Sequence, residues 1–195
     1  MEVWIEMVMR QCMLYSFPLL LTLTVVPLLE AYCLKCKPSL MWKGAWLPFV
    51  VSIVFMRGII VGLPKPQRQG LHAALLRFGL HAVLCLLGFL LYTWALQHAS
   101  PVGLPPLHHW WAKVLMYLNL CLMGLHVLPL PSMVMGELLF SFSPLKIFAP
   151  WLRNQVFFML IPVLVLLVTP LLDILLGGNI VFPIYEQLAS WATSI

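Results

Sequence analysis

The chain has 195 residues, of which 63% are hydrophobic and 9% charged, and its mean hydropathy is +1.01. A soluble domain gives about a quarter of its residues to charge, so six acids and eleven bases cannot cover a water-soluble globule of this size. A soluble enzyme is excluded, and so is a disordered chain, which needs high charge and low hydrophobicity. The net charge of +5 carries no nucleic-acid signature, because the basic residues are scattered and stand mostly at the ends of apolar runs, where membrane proteins keep them.

A helix needs about 20 apolar residues to cross the hydrocarbon core, and five segments qualify as expected spans. The first runs over 13–33, interrupted by Pro18 and Pro27, which membrane helices tolerate better than soluble ones. The second runs over 46–63, with Pro48 in its first turn, where a missing N–H costs little. The third and fourth cover 70–96 and 110–128. The fifth covers 151–176, with Gly177-Gly178-Asn179 expected to stop it. Glu2, Glu6 and Arg10 make the leading segment slightly acidic, and no small-residue cleavage site follows the first apolar run, so no signal peptide is expected.

The connections are short, with no room for a sizeable extramembrane domain. Lys35–Lys43 joins the first two spans, and Pro64-Lys65-Pro66 makes a stiff turn between the second and third. His98–His109 is Pro-rich; Pro129–Pro150 is the longest connection and carries a short apolar stretch, Met133–Phe142, expected as a partly inserted helix. After the last span, Ile184, Leu188 and Trp191 recur at helical spacing, which predicts a short helix in the headgroup layer. Arg10, Lys65, Arg68, Lys146 and Arg153 collect on one side, and Lys35, Lys37, Lys43 and Lys113 on the other. That balance leaves the orientation undecided by the positive-inside rule.

Three features stand in a telling order: the turn Leu63-Pro64-Lys65-Pro66, then Phe78-Gly79-Leu80 in the third span, then His126-Val127-Leu128-Pro129-Leu130-Pro131 closing the fourth. From about residue 13 to 180 the chain resembles the compact branch of the site-2 protease family, the intramembrane zinc metalloproteases. That family holds one zinc with two His at i and i+4 and a distant Asp, and a Glu beside the first His is the general base. The resemblance places the first motif on Leu29-Glu30-Ala31-Tyr32-Cys33. Glu30 is kept, but Leu29 stands for the first His, Cys33 for the second and Val134 for the Asp. His126 stands for the Asn before the Pro-x-Pro turn. At best one ligand survives where catalytic zinc needs three, so the resemblance implies a protease scaffold that has lost its reaction centre. Glu30, Cys33, His126 and Glu137 are the nearby groups from which a metal site would have to be rebuilt. His126 and Glu137 lie eleven residues apart across a Pro-rich turn, and no such site is expected.

The remaining polar residues each have a plain explanation. Cys33-Leu34-Lys35-Cys36 is a C-x-x-C, but it follows the C-terminal end of an expected span, where the helix dipole opposes a thiolate. Cys12, Cys85 and Cys121 are single and supply no second pair for a structural zinc. His81 and His126 are candidates for binding a haem or chlorophyll, against the plainer reading of hydrogen bonds across a helix interface. His108-His109 is read as loop beside the interfacial Trp110 and Trp111. Arg57, Arg77, Glu30 and Asp173 fall in or near spans, where charge is expensive. They mark either a proton or ion path or pairing between helices or subunits, with Asp173 the expected partner for one of the arginines. Arg77 and His81, four apart, share a helix face.

The expected architecture is all-α: a polytopic transmembrane bundle of five spans with a site-2-protease-like core, one integral membrane domain over residues 1–195. The expected role is a catalytically inactive scaffold or accessory subunit, partnered by other integral membrane subunits and lipid in a hetero-oligomer. The expected location is a bacterial inner membrane, cytoplasmic or intracytoplasmic. Pro129, Pro131, Arg57, Arg77 and Asp173 are the partner-binding candidates, and no metal or other cofactor is expected. The alternatives are a residual zinc metalloprotease using Cys33, and a haem- or pigment-binding subunit of an energy-converting complex using His81 or His126.

Overall fold

A computed structural model describes residues 1–40, 43–98, 105–142 and 157–194. Among these every regular element is helical. Helix α1, Glu2–Cys33, has 32 residues, about 48 Å of rise, well beyond the roughly 30 Å hydrocarbon core. Its buried face, Tyr15, Leu19, Leu23, Val26 and Glu30, repeats at three to four residues. It ends where Lys35 turns left-handed (φ 51°) and the Cys36 N–H reaches the Ala31 carbonyl, a Schellman-type cap. Cys33-x-x-Cys36 is therefore part of a helix stop, and both thiols are free.

Helix α2, Trp46–Val54, has nine residues, about 14 Å, too short to cross. The expected second span over 46–63 is thus a short helix followed by a non-helical segment. The Phe55 and Met56 N–H groups close on the Val51 and Ile53 carbonyls, and Met56 adopts φ 49°. Beyond it Ile59, Ile60 and Val61 run buried to Leu63 with no regular secondary structure. Irregular backbone inside a membrane protein needs partners from the protein itself. Here the Asp173 carboxylate accepts the Ile59 N–H at 2.7 Å and the Tyr117 hydroxyl donates to the Gly58 carbonyl at 2.5 Å.

Helix α3, Leu71–Gln97, agrees closely with the expected third span, while helix α4, Leu107–Leu125, is shifted toward the N-terminus from the expected 110–128; among the described residues the two make the most extensive packing. They approach closely because Gly88 has no side chain: a Cβ there would stand 2.5 Å from the Met116 nitrogen and 2.9 Å from its Cα. α4 is the central rod, packed by α3, α1 and the stretch Asp173–Val181. It buries Val114, Leu115, Met116, Leu118, Leu120, Cys121 and Leu122 together with Asn119. His108-His109, expected in a loop, lie in its first turn, and His109 is buried against the Tyr92 ring.

Helix α5, Val134–Phe142, realises the expected short apolar helix. Helix α6, Phe157–Val168, breaks at Thr169–Pro170, and the chain resumes as a π-helical stretch, Asp173–Val181, that runs into helix α7, Phe182–Ser194. The two rods meet at 87°. Gly177-Gly178-Asn179 does not stop a helix, as expected from composition; it lies within the π stretch. A Cβ on Gly177 would stand 2.8 Å from the Phe182 ring, so that glycine serves close packing rather than termination. The expected start of the fifth span, 151–156, lies outside the described residues.

The protein is therefore a helical one with two helices, α1 and α3, long and apolar enough to cross a membrane, or three if the bent α6–α7 pair forms one span. That is the composition of a membrane protein. Composition gives five apolar segments, and it does not distinguish a helix apolar toward lipid from a segment apolar toward the protein's own core.

Candidate functional site

Glu30 lies on the inward face of α1, one turn before its end, and is 0% exposed. Arg77, in the second turn of α3, is 3% exposed. Arg77 Nη2 lies 2.6 Å from Glu30 Oε1 and Nε lies 3.1 Å from Oε2, the bidentate match of a planar guanidinium with a carboxylate. Nη1 donates to the Ser132 carbonyl at 2.7 Å, and Nη2 also reaches the Arg68 carbonyl at 3.4 Å. One cation thus ties α1, α3, the segment entering α3 and the turn after α4.

That turn is the Leu128-Pro129-Leu130-Pro131 segment. Its two prolines have no N–H to satisfy, and its remaining groups close locally. Leu128 N–H bonds the Leu125 carbonyl, and the His126 carbonyl accepts from Met135 N–H at 3.0 Å. Ser132 follows with φ 66°, a left-handed conformation costing a non-glycine residue about 1–2 kcal/mol. It is held from both sides: its carbonyl accepts from Arg77, and its N–H donates to Glu137 Oε1 at 3.1 Å. Glu137 is itself buried in the first turn of α5, the end of a helix that favours negative charge. Gly136 beside it is required, because a Cβ would collide with the Leu130 backbone.

One turn along α3 from Arg77, His81 Nδ1 lies 2.9 Å from Asn119 Oδ1. Asn119 Nδ2 donates to Thr22 Oγ1 at 3.1 Å and to the Leu115 carbonyl at 2.9 Å, so three helices share one polar chain. The His126 ring lies 6.1 Å from that of His81 and edge-on to Phe78 at 5.6 Å. His126 is 4% exposed, and its Nδ1 has no hydrogen-bond partner among the described residues. A cavity of about 10 Å³ lies here, lined by Arg77, His81, His126, Met133 and Met159 and closed by Leu63 and its neighbours.

Of the positions equated with the protease centre, Glu30 alone points inward from α1. Leu29 is 41% exposed and Cys33 is exposed. The two share the 29/33 stripe, and one residue is 100° of helix rotation, so a stripe beside an inward Glu30 turns toward the surroundings. Val134 is half-buried at the start of α5. Arg57 Nε and Nη2 donate to the Leu167 and Val168 carbonyls at 2.7 and 2.5 Å, closing the C-terminal end of α6. Asp173 likewise takes a backbone partner, Ile59 N–H, and not an arginine. Pro129 and Pro131 shape the turn that delivers Ser132 to Arg77. Sequence reasoning missed Asn119, Thr22 and Ser132. Asn119 was visible as one strongly polar side chain within an apolar run, but Ser132 and Thr22 carry no such mark.

No family model, no curated protein and no solved structure matches this chain.

Proposed function

We propose that the chain is a catalytically inactive, site-2-protease-like membrane protein, a scaffold or accessory subunit that packs against other integral subunits in a bacterial inner membrane. The observation carrying this reading is the occupation of the Glu30 carboxylate by Arg77. A general base for hydrolysis needs a free lone pair facing a water. Glu30 instead has both oxygens on a guanidinium, and the 29/33 stripe that would present the metal faces outward. In this reading α4 also lies in the bilayer, where its buried His109 and Asn119 are covered by Tyr92 and His81 of α3 and Thr22 of α1. The outer face of α3, with Leu75, Val83, Leu86, Leu90 and Trp94 exposed, is the surface offered to lipid and partner helices.

The test is gentle purification from the native membrane, with mass spectrometry and metal analysis of the product. Colourless, zinc-free protein accompanied by stoichiometric larger membrane subunits is the expected result. A lone monomer removes the accessory-subunit reading, and stoichiometric zinc lost in Cys33→Ala restores the protease. The pigment alternative is disfavoured by space, since the cavity of about 10 Å³ beside His81 and His126 does not admit a macrocycle. A visible spectrum lost on changing either histidine would reinstate it.

A further inference from the structure

The cavity between α3, the end of α4, the following turn and α6 has an unusual lining for an apolar interior: two imidazoles, two thioethers and a charge already neutralised by its own partner. We propose that His81, His126, Met133 and Met159 form a site for a single cuprous ion. The inference is independent of the scaffold reading, because none of these four positions is a zinc-ligand position in the protease resemblance.

The argument begins with the tautomer of His81. Asn119 uses its amide nitrogen as donor to Thr22 Oγ1 and the Leu115 carbonyl, so its oxygen is the atom facing His81. An acceptor there requires His81 Nδ1 to carry the proton, which leaves the Nε2 lone pair free. This is the outer-shell arrangement that prepares a histidine for a metal, in which the far nitrogen donates to a fixed acceptor and the near one is left basic. His126 brings a second imidazole, buried and with Nδ1 unsatisfied. A buried polar atom without a partner is costly, so it points to an occupant. Two imidazoles sharing an ion at about 2 Å from each nitrogen bring their ring centres to within roughly 6 Å, and these lie 6.1 Å apart.

The lining also selects the ion. Met133 and Met159 are 4% and 7% exposed and border the same cavity. Thioether sulfur is a soft ligand that favours Cu(I), whereas hard divalent ions want carboxylate, carbonyl or water. Glu30 is taken by Arg77, and the cavity wall includes no cysteine. A site with only neutral donors suits a monovalent ion, whose burial costs far less desolvation than that of a divalent one. The cavity volume, about 10 Å³, admits one occupant of roughly water size. Met159 belongs to α6 and the other donors to α3 and the α4–α5 region, so a bound ion would cross-link α6 to the core.

The test uses the full chain in detergent micelles with Cys12, Cys33 and Cys36 changed to Ser, which removes the accessible competing thiols. Cu(I) is titrated anaerobically, under reductant, against a chromophoric chelator. One ion per chain is expected, with X-ray absorption reporting both nitrogen and sulfur neighbours. His126→Leu and, separately, Met159→Leu are each expected to weaken binding at least tenfold. Met159→Leu conserves volume and polarity, so an unchanged helical spectrum and elution position certify its fold. No chelator-resistant Cu(I) in the triple-Ser protein overturns the proposal, leaving the cavity to water. So does undiminished affinity in folded Met159→Leu and His126→Leu.

Discussion

Replacing Arg77 by Met leaves the Glu30 carboxylate fully buried without its counter-charge. Breaking a buried pair from one side costs about 3–5 kcal/mol, and the Ser132 carbonyl also loses its donor, adding about 1 kcal/mol or more. Arg77→Met should therefore lose about 4–6 kcal/mol, comparable with the whole stability of many domains. Glu30→Met strands the guanidinium and should lose about 3–5 kcal/mol. The double variant buries no unpaired charge; only the Ser132 and Arg68 carbonyls lose a donor, so about 2 kcal/mol is expected. The double variant should be more stable than Arg77→Met alone. Reversible unfolding in mixed micelles, followed by circular dichroism, measures all three proteins. Losses that add to within about 0.5 kcal/mol would show two independent residues and refute the central role given to this pair.

Three further outcomes follow from the geometry. Gly88→Ala places a Cβ against the Met116 backbone and should cost about 1–3 kcal/mol. Gly79→Ala on the same helix meets nothing within 4 Å and should gain about 0.5–1 kcal/mol; the same unfolding assay reads both, and equal effects would remove the close α3–α4 approach. Ser132→Gly relieves a left-handed conformation and should stabilise by about 1 kcal/mol, whereas Ser132→Val should destabilise. A stabilising valine would show that the turn does not hold this conformation. Asp173→Ala removes the acceptor of the buried Ile59 N–H and should cost about 1–3 kcal/mol, with faster amide exchange at Ile59, its neighbours in α4 serving as control.

The proposed scaffold role places function on surfaces, and the ion pair is what shapes them. Arg77 holds the Leu-Pro-Leu-Pro turn down onto α1 through Ser132, so the segment named as partner-binding is positioned from within. Under that proposal Pro129 and Pro131 would meet a partner through the shape of the turn, since neither has a polar side chain. Arg57 and Asp173 secure the break around α6 and the non-helical chain beyond α2.

Hydropathy alone made the chain a helical membrane protein, because apolar content at this level can be buried only in lipid or in other helices. The limits of α3 were also legible, since a long apolar run of uniform propensity leaves little else to form, and the existence of α4 was legible though not its ends. The fate of residues 55–63 was not legible. An apolar run reads the same whether lipid or protein covers it, and here α4 and Asp173 cover it. Gly177-Gly178-Asn179 misled for a related reason, because glycine permits both a stop and a close contact, and the Phe182 ring chose the contact. Glu30 and Arg77 stood out as costly charges 47 residues apart. Their partnership, and the meeting of His81 with His126, depended on helix rotation and depth, which side-chain packing between helices sets and no local stretch of sequence encodes.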